Sequence, residues 1–189
     1  MDKITRERIR LEQMISDREI LSFRIFIHNI LFPNAIKKFM VLLRKSEYYY
    51  NSNNLYNKII YYLIQTRMSR LSTKLGFYIP INVFDKGLYI PHCGSIVVNP
   101  NTKCGKFCLL HNNVVIGHLN GKAPTIGNNV FIGPGAKIFG DIIIADNIWI
   151  GANSVVTKSF MEPNVVIAGI PAIKIGYKEK PWNETPTKG

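Results

Sequence analysis

Cysteine is scarce in this chain: Cys93, Cys104 and Cys108 are the only three among 189 residues. An odd set without C-x-x-C spacing excludes a disulfide framework and a zinc knuckle, and fits packed thiols in a reducing compartment. Long apolar runs are missing too. The strongest, residues 20–32, is broken by Arg24, His28 and Asn29 and falls short of the roughly 20 residues that a membrane span needs. No clean apolar stretch follows the charged residues 1–10, so a secretory signal is not expected and the cytoplasm is. Acidic residues are few, 12 Asp and Glu against 24 Lys and Arg, a formal charge of +12. What the chain does have is 47% hydrophobic residues, enough for one main core with a smaller attached region.

The basic excess is concentrated early, from Arg6, Arg8 and Arg10 through Lys37, Lys38, Arg44 and Lys45 to Arg67, Arg70 and Lys74. Its bland explanation is a solvated helical surface. Functional explanations are peripheral attraction to an anionic membrane or to a polyanionic acceptor. Nucleic acid is not expected, because no recognised binding motif accompanies the charge.

Two rules of organisation meet near Leu75 and Gly76. Before them, in residues 1–75, the pattern is helical. Pro33 and Asn34 end the first apolar segment, and Ile36, Phe39, Met40 and Leu43 then recur at i, i+3, i+4 and i+7 as one buried helix face. Residues 51–54 supply turn and cap chemistry, after which Leu55, Ile59 and Leu63 mark the corresponding stripe of a second helix, flanked by Tyr61 and Tyr62.

After Gly76 the decisive pattern is a period of six. Val98, Cys104, Leu110 and Ile116 stand six apart, and after an inserted loop at 117–125 the step resumes at Ile126, Ile132, Ile138, Ile144, Ile150 and Val156. Four residues after each comes another small or aliphatic side chain: Thr102, Cys108 and Val114, then Val130, Ala136, Ile142, Ile148 and Ser154. A helix repeats at 3.6 and an alternating strand at 2, so neither yields this series. Glycines at 105, 117, 127, 133 and 151 directly follow the aliphatic position, as a tight corner requires where a side chain would clash or φ must be positive. Each six is one short strand and one turn. Three such sides close a triangular coil of about eighteen residues, and stacked coils bury the aliphatic ladder inside.

The stretches GLYIPHCGSIVVNP (87–100), APTIGNNVFIGPGAKIFG (123–140), IGANSVVTK (150–158) and AGIPA (168–172) resemble the hexapeptide-repeat acyltransferases, and within them the serine acetyltransferase-like branch. The resemblance covers residues 76–176 and leaves 177–189 as a tail. It implies a mainly β fold, a left-handed parallel β-helix preceded by an N-terminal α-helical region. It also implies a homotrimer, acetyl-CoA as co-substrate in the groove between neighbouring copies, and a histidine acting there as general base. That base is His92 by resemblance. An acceptor hydroxyl is a poor nucleophile near neutral pH, and an imidazole, which titrates in that range, can take its proton as it attacks the thioester.

His111 follows His92 by nineteen positions, one more than a full coil. Coils stacked about 4.8 Å apart put the pair in one region of the surface, where His111 either orients His92, contacts the acceptor, or simply lines a polar groove. His118, at the start of the inserted loop, is a rival base, because galactoside acetyltransferases place their catalytic histidine in a comparable loop. No metal is expected: the histidine spacing departs from the pattern of the γ-class carbonic anhydrases, which share this scaffold. For the cofactor, the resemblance implies backbone contacts at Ala136 and Ala152 beside the pantetheine arm, Thr157 and Lys158 at the nucleotide end, and Lys174 as a basic position after the G-x-P-A segment. Lysine suits phosphate as a compact charge.

Three features depart from serine acetyltransferases. Pro91 stands where those enzymes carry an aspartate before the histidine, Lys122 and Ala123 where they carry arginine and histidine, and the stretch at 76–80 lacks their upstream aspartate. Tyr78, Asp85 or a backbone carbonyl are left to orient His92. The segment RMSRLSTKLGFYIP (67–80) is similar to the join in capsular and exopolysaccharide acetyltransferases. The expectation is therefore O-acetylation of a sugar hydroxyl in a surface polysaccharide or its precursor. Serine O-acetylation and a non-catalytic trimeric scaffold are the alternatives.

Overall fold

The computed structural model describes residues 34–52, 54–178 and 180–182. The apolar segment 20–32, the basic residues before it and the last seven residues of the tail lie outside them. Contacts divide the chain into two compact units that meet at Leu75 and Gly76.

The described part of the first unit is a helical hairpin. Helix α1, Ala35–Tyr50, is capped by Asn34, whose side-chain oxygen accepts from the amides of Ile36 at 2.9 Å and Lys37 at 3.1 Å, satisfying two donors that the first turn leaves unpaired. Helix α2, Leu55–Leu75, opens on Asn54, which accepts from Tyr56 N at 2.9 Å. It stops at Gly76, whose φ of +76° few other residues adopt. Phe39, Met40, Leu43 and Ser46 are buried on α1, against Ile64, Met68 and Leu75 on α2.

One expectation is overturned here. Leu55, Ile59 and Leu63 are 75%, 57% and 62% exposed, so the stripe of period four is not the packing face. A step of four residues advances about 40° around a helix of 3.6 residues per turn, and the residues that meet α1 lie on the neighbouring stripe led by Ile64 and Met68.

The second unit is a parallel β-helix of about five coils, left-handed as in the family it resembles. Its thirteen short strands are β1 Phe77–Tyr78, β2 Ile96–Val98, β3 Lys103–Cys104, β4 Leu109–Leu110, β5 Val114–Gly117, β6 Thr125–Ile126, β7 Phe131–Ile132, β8 Lys137–Phe139, β9 Ile143–Ile144, β10 Trp149–Ile150, β11 Val155–Val156, β12 Val165–Gly169 and β13 Ala172–Tyr177. They form three walls. The first is ordered β1-β2-β5-β8-β11, the second β3-β6-β9, and the third β4-β7-β10-β12 with β13 added antiparallel at its end. Ile96 pairs with Val114, Thr125 with Ile143, Phe131 with Trp149 and Lys137 with Val155, each a step of eighteen. Between β3 and β6, β4 and β7, and β5 and β8 the step is twenty-two, because the loop after β5 inserts four residues. That loop is a two-residue hairpin: Leu119 and Lys122 exchange both backbone hydrogen bonds at 2.9 and 3.1 Å across Asn120 and Gly121, which have φ of 51° and 79°, the geometry of a type I′ turn.

All ten residues of the six-step ladder are at most 6% exposed, as are the eight partners four positions on. Each fully buried Ile or Val contributes about 1.5–3 kcal/mol relative to exposure, and Phe77, Ile79, Val83, Phe84, Leu88 and Ile90 at the first coil and Val165 and Ile167 at the last extend the same core. The corner glycines act by close approach and not by φ, since none of Gly105, Gly117, Gly127, Gly133 and Gly151 has a positive φ. A Cβ on Gly133 would lie 2.7 Å from Ile150 O and 2.9 Å from Ala152 N. Positive φ is supplied largely by asparagine, at 113, 129, 147, 153 and 164 among others. Asn tolerates the left-handed region because its short side chain bonds locally. Asn147 and Asn164 link their amides at 2.9 Å from coil to coil.

Candidate active site

The chain turns from the third wall to the first along one edge of the prism, and four of the expected site residues fall on that edge. His92 lies between Tyr89, bridged to Leu109, and β2; His111 lies between β4 and β5; Ala136 and Ala152 lie between β7 and β8 and between β10 and β11. Across this edge the coil step shortens from twenty, at Tyr89 and Leu109, to eighteen, at Ile96 and Val114. At nineteen, His92 and His111 come opposite each other. Their ring centroids are 6.0 Å apart with the planes at 33°. Gly94, with φ of 134°, and Asn113, with φ of 60°, turn the two coils here.

The two imidazoles differ in surroundings. His92 is exposed and His111 half-buried. Burial, and then the neighbouring His92, hold the His111 imidazole below its ordinary pKa, so that it favours the neutral form. Its other side is an edge-to-face contact with Phe131 at 5.2 Å, and Phe131 stacks on Trp149 at 4.6 Å and 13°. Lys178 Nζ lies 4.4 Å from the Trp149 ring. Phe131 and Trp149 were not foreseen as site residues. The available signal is that both stand immediately before an inward isoleucine, eighteen residues apart, in the slot that points out of the third wall.

Among the described residues no ion pair joins either imidazole to a carboxylate, and no group of three or more His, Cys, Asp or Glu is placed to hold a metal ion. Tyr78 lies in the first wall and Asp85 on the corner between the second and third, so neither belongs to the histidine edge.

Ala136 has its side chain in the core; its N–H donates to Gly133 O at 3.2 Å and its carbonyl accepts from Val115 N at 3.0 Å. Only the carbonyl's second lone pair remains for a ligand, which narrows the backbone contact expected there. Ala152 is exposed. Thr157 and Lys158, also exposed, sit with His118 on a different edge, between the first and second walls. Lys174, on β13, is already engaged: its Nζ reaches both Glu162 oxygens at 2.7 Å and lies 3.8 Å from the Tyr177 ring. As a phosphate ligand it would first have to leave that carboxylate.

The tail returns to the same wall. Trp182 stacks on Tyr89 at 5.7 Å and 12°, and its Nε1–H donates to Phe107 O at 2.6 Å.

No protein-family model matches the chain. The serine acetyltransferase of Synechococcus elongatus is 34% identical over 110 residues, covering 56% of this chain and 44% of that one. The crystal structure of serine acetyltransferase from Brucella abortus strain S19 superposes with a TM-score of 0.69 at 26% identity, over 93% of this chain and 68% of that one. Its complex with coenzyme A gives a TM-score of 0.65 at 27% identity, over 91% and 67%. The chain spans about half the length of the curated relatives it matches. Fold and repeat define the class, parallel β-helices built from hexapeptides. In fold and repeat the chain is similar to the hexapeptide-repeat acyltransferases, and the relatives it matches are serine acetyltransferases.

Proposed function

We propose that the protein is an acetyl-CoA-dependent O-acetyltransferase with His92 as general base and His111 as its neighbour in the acceptor site. The observation that carries this reading is the exposed imidazole of His92 lying 6.0 Å from a half-buried second imidazole on an edge of a fold shared with an enzyme solved in complex with coenzyme A. In the reaction the acceptor oxygen attacks the thioester carbonyl while its proton passes to His92. A tetrahedral oxyanion forms and collapses, the C–S bond breaks, and the proton leaves with the CoA sulfur. The new C–O bond is the product ester, and no covalent enzyme intermediate is needed. The lowered pKa of His111 keeps it neutral beside a base that becomes cationic, which avoids two adjacent positive charges in the transition state.

The homotrimer belongs to this reading. On a single chain the His92 edge and the Thr157–Lys158 edge are separated by the whole first wall. In a cyclic assembly one copy's histidine edge faces the neighbour's lysine edge, and the cofactor lies between them with Ala152 beside the pantetheine arm. The expected cytoplasmic site of action follows from the use of acetyl-CoA. No described helix is long and apolar enough to cross a membrane.

For the acceptor, L-serine has the strongest support from the comparisons, because the relatives and neighbours described above are serine acetyltransferases. A sugar hydroxyl is the second reading, favoured by specific observations. Pro91 precedes His92 in place of a carboxylate that would meet an ammonium group, and His111 packs against Phe131, which in turn stacks on Trp149, an apolar flank for a pyranose ring. A panel assay separates them: purified protein with acetyl-CoA is given L-serine and a set of sugar acceptors, and CoA release is followed. Rapid release on L-serine alone establishes the first reading. Release on a sugar alone establishes the second, and release on neither, with no acetyl-CoA binding by calorimetry, leaves a scaffold.

A further inference from the structure

The helical hairpin contains a cleft of its own, independent of the acetyl-transfer site. It has a volume of about 450 Å³ and is lined by Lys38 and Leu42 of α1 and by Arg67, Arg70, Leu71 and Lys74 of α2. Four cations therefore converge on one cavity, and no acidic side chain lines it. Among the described residues the ion pairs are Arg44–Glu47, Lys122–Asp141 and Lys174–Glu162, so no described residue forms an ion pair with any of the four. The walls beneath the charges are mostly hydrocarbon, formed by the two leucines and the aliphatic stems of the long cationic side chains.

Sequence and helix geometry explain the convergence. Lys38 and Leu42 are four apart on α1, and Arg67, Arg70, Leu71 and Lys74 fall at i, i+3, i+4 and i+7 on α2, so each set forms one face of its helix. Like charges gathered in one place repel, and an anion entering the cleft relieves that repulsion while leaving Leu42 and Leu71 to be covered. The row of every fourth residue from Arg67 continues toward the start of α2 as Leu63, Ile59 and Leu55, all more than half exposed, turning about 40° around the helix at each step. An apolar track thus leads along the helix into a cationic cleft.

We infer that this cleft binds a phosphate group carried on hydrocarbon, the chemistry of an anionic phospholipid headgroup with the start of its chains. Arg67 and Arg70 hold the phosphate, with Lys38 and Lys74 at the rim, while the leucines and the track from Leu55 to Leu63 meet the hydrocarbon. The cavity is of the size that takes a small ligand, within roughly 300–1,000 Å³.

The experiment uses the full chain in a vesicle-flotation assay at about 0.1 M salt, where charges more than about 10 Å apart are largely screened. Vesicles of phosphatidylcholine alone are compared with vesicles containing phosphatidylglycerol. Two paired variants are tested beside the wild type: Arg67→Glu with Arg70→Glu in the cleft, and Lys103→Glu with Lys106→Glu at exposed positions of the β-helix. Both change the net charge equally. Binding is expected only with phosphatidylglycerol, at least about tenfold weaker in the cleft pair and unchanged in the β-helix pair; Leu71→Ser is expected to weaken it as well. Equal loss in both pairs would show a general charge effect and overturn the site. So would inorganic phosphate or glycerol phosphate saturating the cleft by calorimetry without any vesicle binding, since the hydrocarbon would then play no part. Absence of binding to every probe would overturn it too.

Discussion

His92 and His111, nineteen residues apart in the chain, face each other across two stacked coils with ring centroids 6.0 Å apart. The pairing is set by the walls on either side of the edge and needs no direct bond between the rings. It gives one exposed imidazole free to meet an acceptor and one half-buried imidazole disfavoured as a cation.

A pH test follows from that asymmetry. The His111 pKa is lowered in the folded chain, by burial first and His92 second, so the folded state binds the proton less readily than the unfolded state. Its contribution to stability is fully present above the unfolded value of about 6.5 and is lost as pH falls through the lowered folded value. Replacing His111 with Gln is expected to flatten the decline of Tm between about pH 7 and pH 5. A decline as steep in the variant as in the wild type contradicts it.

The coil corners offer a test of packing. Gly133→Ala would push a methyl group against backbone atoms of the next coil, Ile150 O at 2.7 Å and Ala152 N at 2.9 Å, and backbone has no side-chain freedom with which to yield. A loss of about 1–3 kcal/mol is expected, read in chemical denaturation. Gly176→Ala, where nothing lies within 4 Å, is expected to stay within about 0.5 kcal/mol. Equal costs at the two positions contradict the stacked-coil contact.

Thiol labelling tests the interior. Burial pushes the Cys108 thiol up to about 12 and the Cys104 thiol well above its ordinary range, while Cys93 is exposed. At about pH 8 a disulfide reagent should modify one thiol per native chain at once, and all three only in denaturant. Two or three fast thiols in the native protein would contradict the buried ladder.

Much of this was legible in the sequence because a six-residue period has one compact solution. Ile132, Ile138 and Ile144 read as interior residues before any coordinates, and they are. Less legible was anything that depends on the outward slots. Phe131 and Trp149 carry no periodic signature beyond their shared position, and the asparagines that turn the corners are divided between two edges, Asn113 and Asn153 on one and Asn129, Asn147 and Asn164 on the other. The second helix was misread for a simpler reason: Leu55, Ile59 and Leu63 are as apolar as a packing stripe, and only the position of α1 shows that Ile64 and Met68 form it instead. The pairing of Lys174 with Glu162, twelve residues apart, came from the antiparallel return of β13, which the hexapeptide pattern does not announce.

Mixed assemblies test whether the site spans two copies. His92 and Lys158 sit on different edges of one chain, so His92→Ala and Lys158→Ala chains, each weak alone, should recover measurable activity when refolded together as trimers. Each mixed cleft can draw its histidine from one copy and its lysine from the next. No recovery from verified mixed trimers contradicts a shared cleft.

The most direct measurement is acetyl transfer by the wild type, His92→Ala and His118→Ala, with CoA release and acetylated acceptor quantified in the same reaction. The wild type should convert acceptor and release CoA in equal amounts, His92→Ala should lose about 10² to 10⁴ of the rate with its fold intact, and His118→Ala should stay near the wild type. Full turnover by His92→Ala, or its loss in His118→Ala instead, would show that the proton is taken elsewhere.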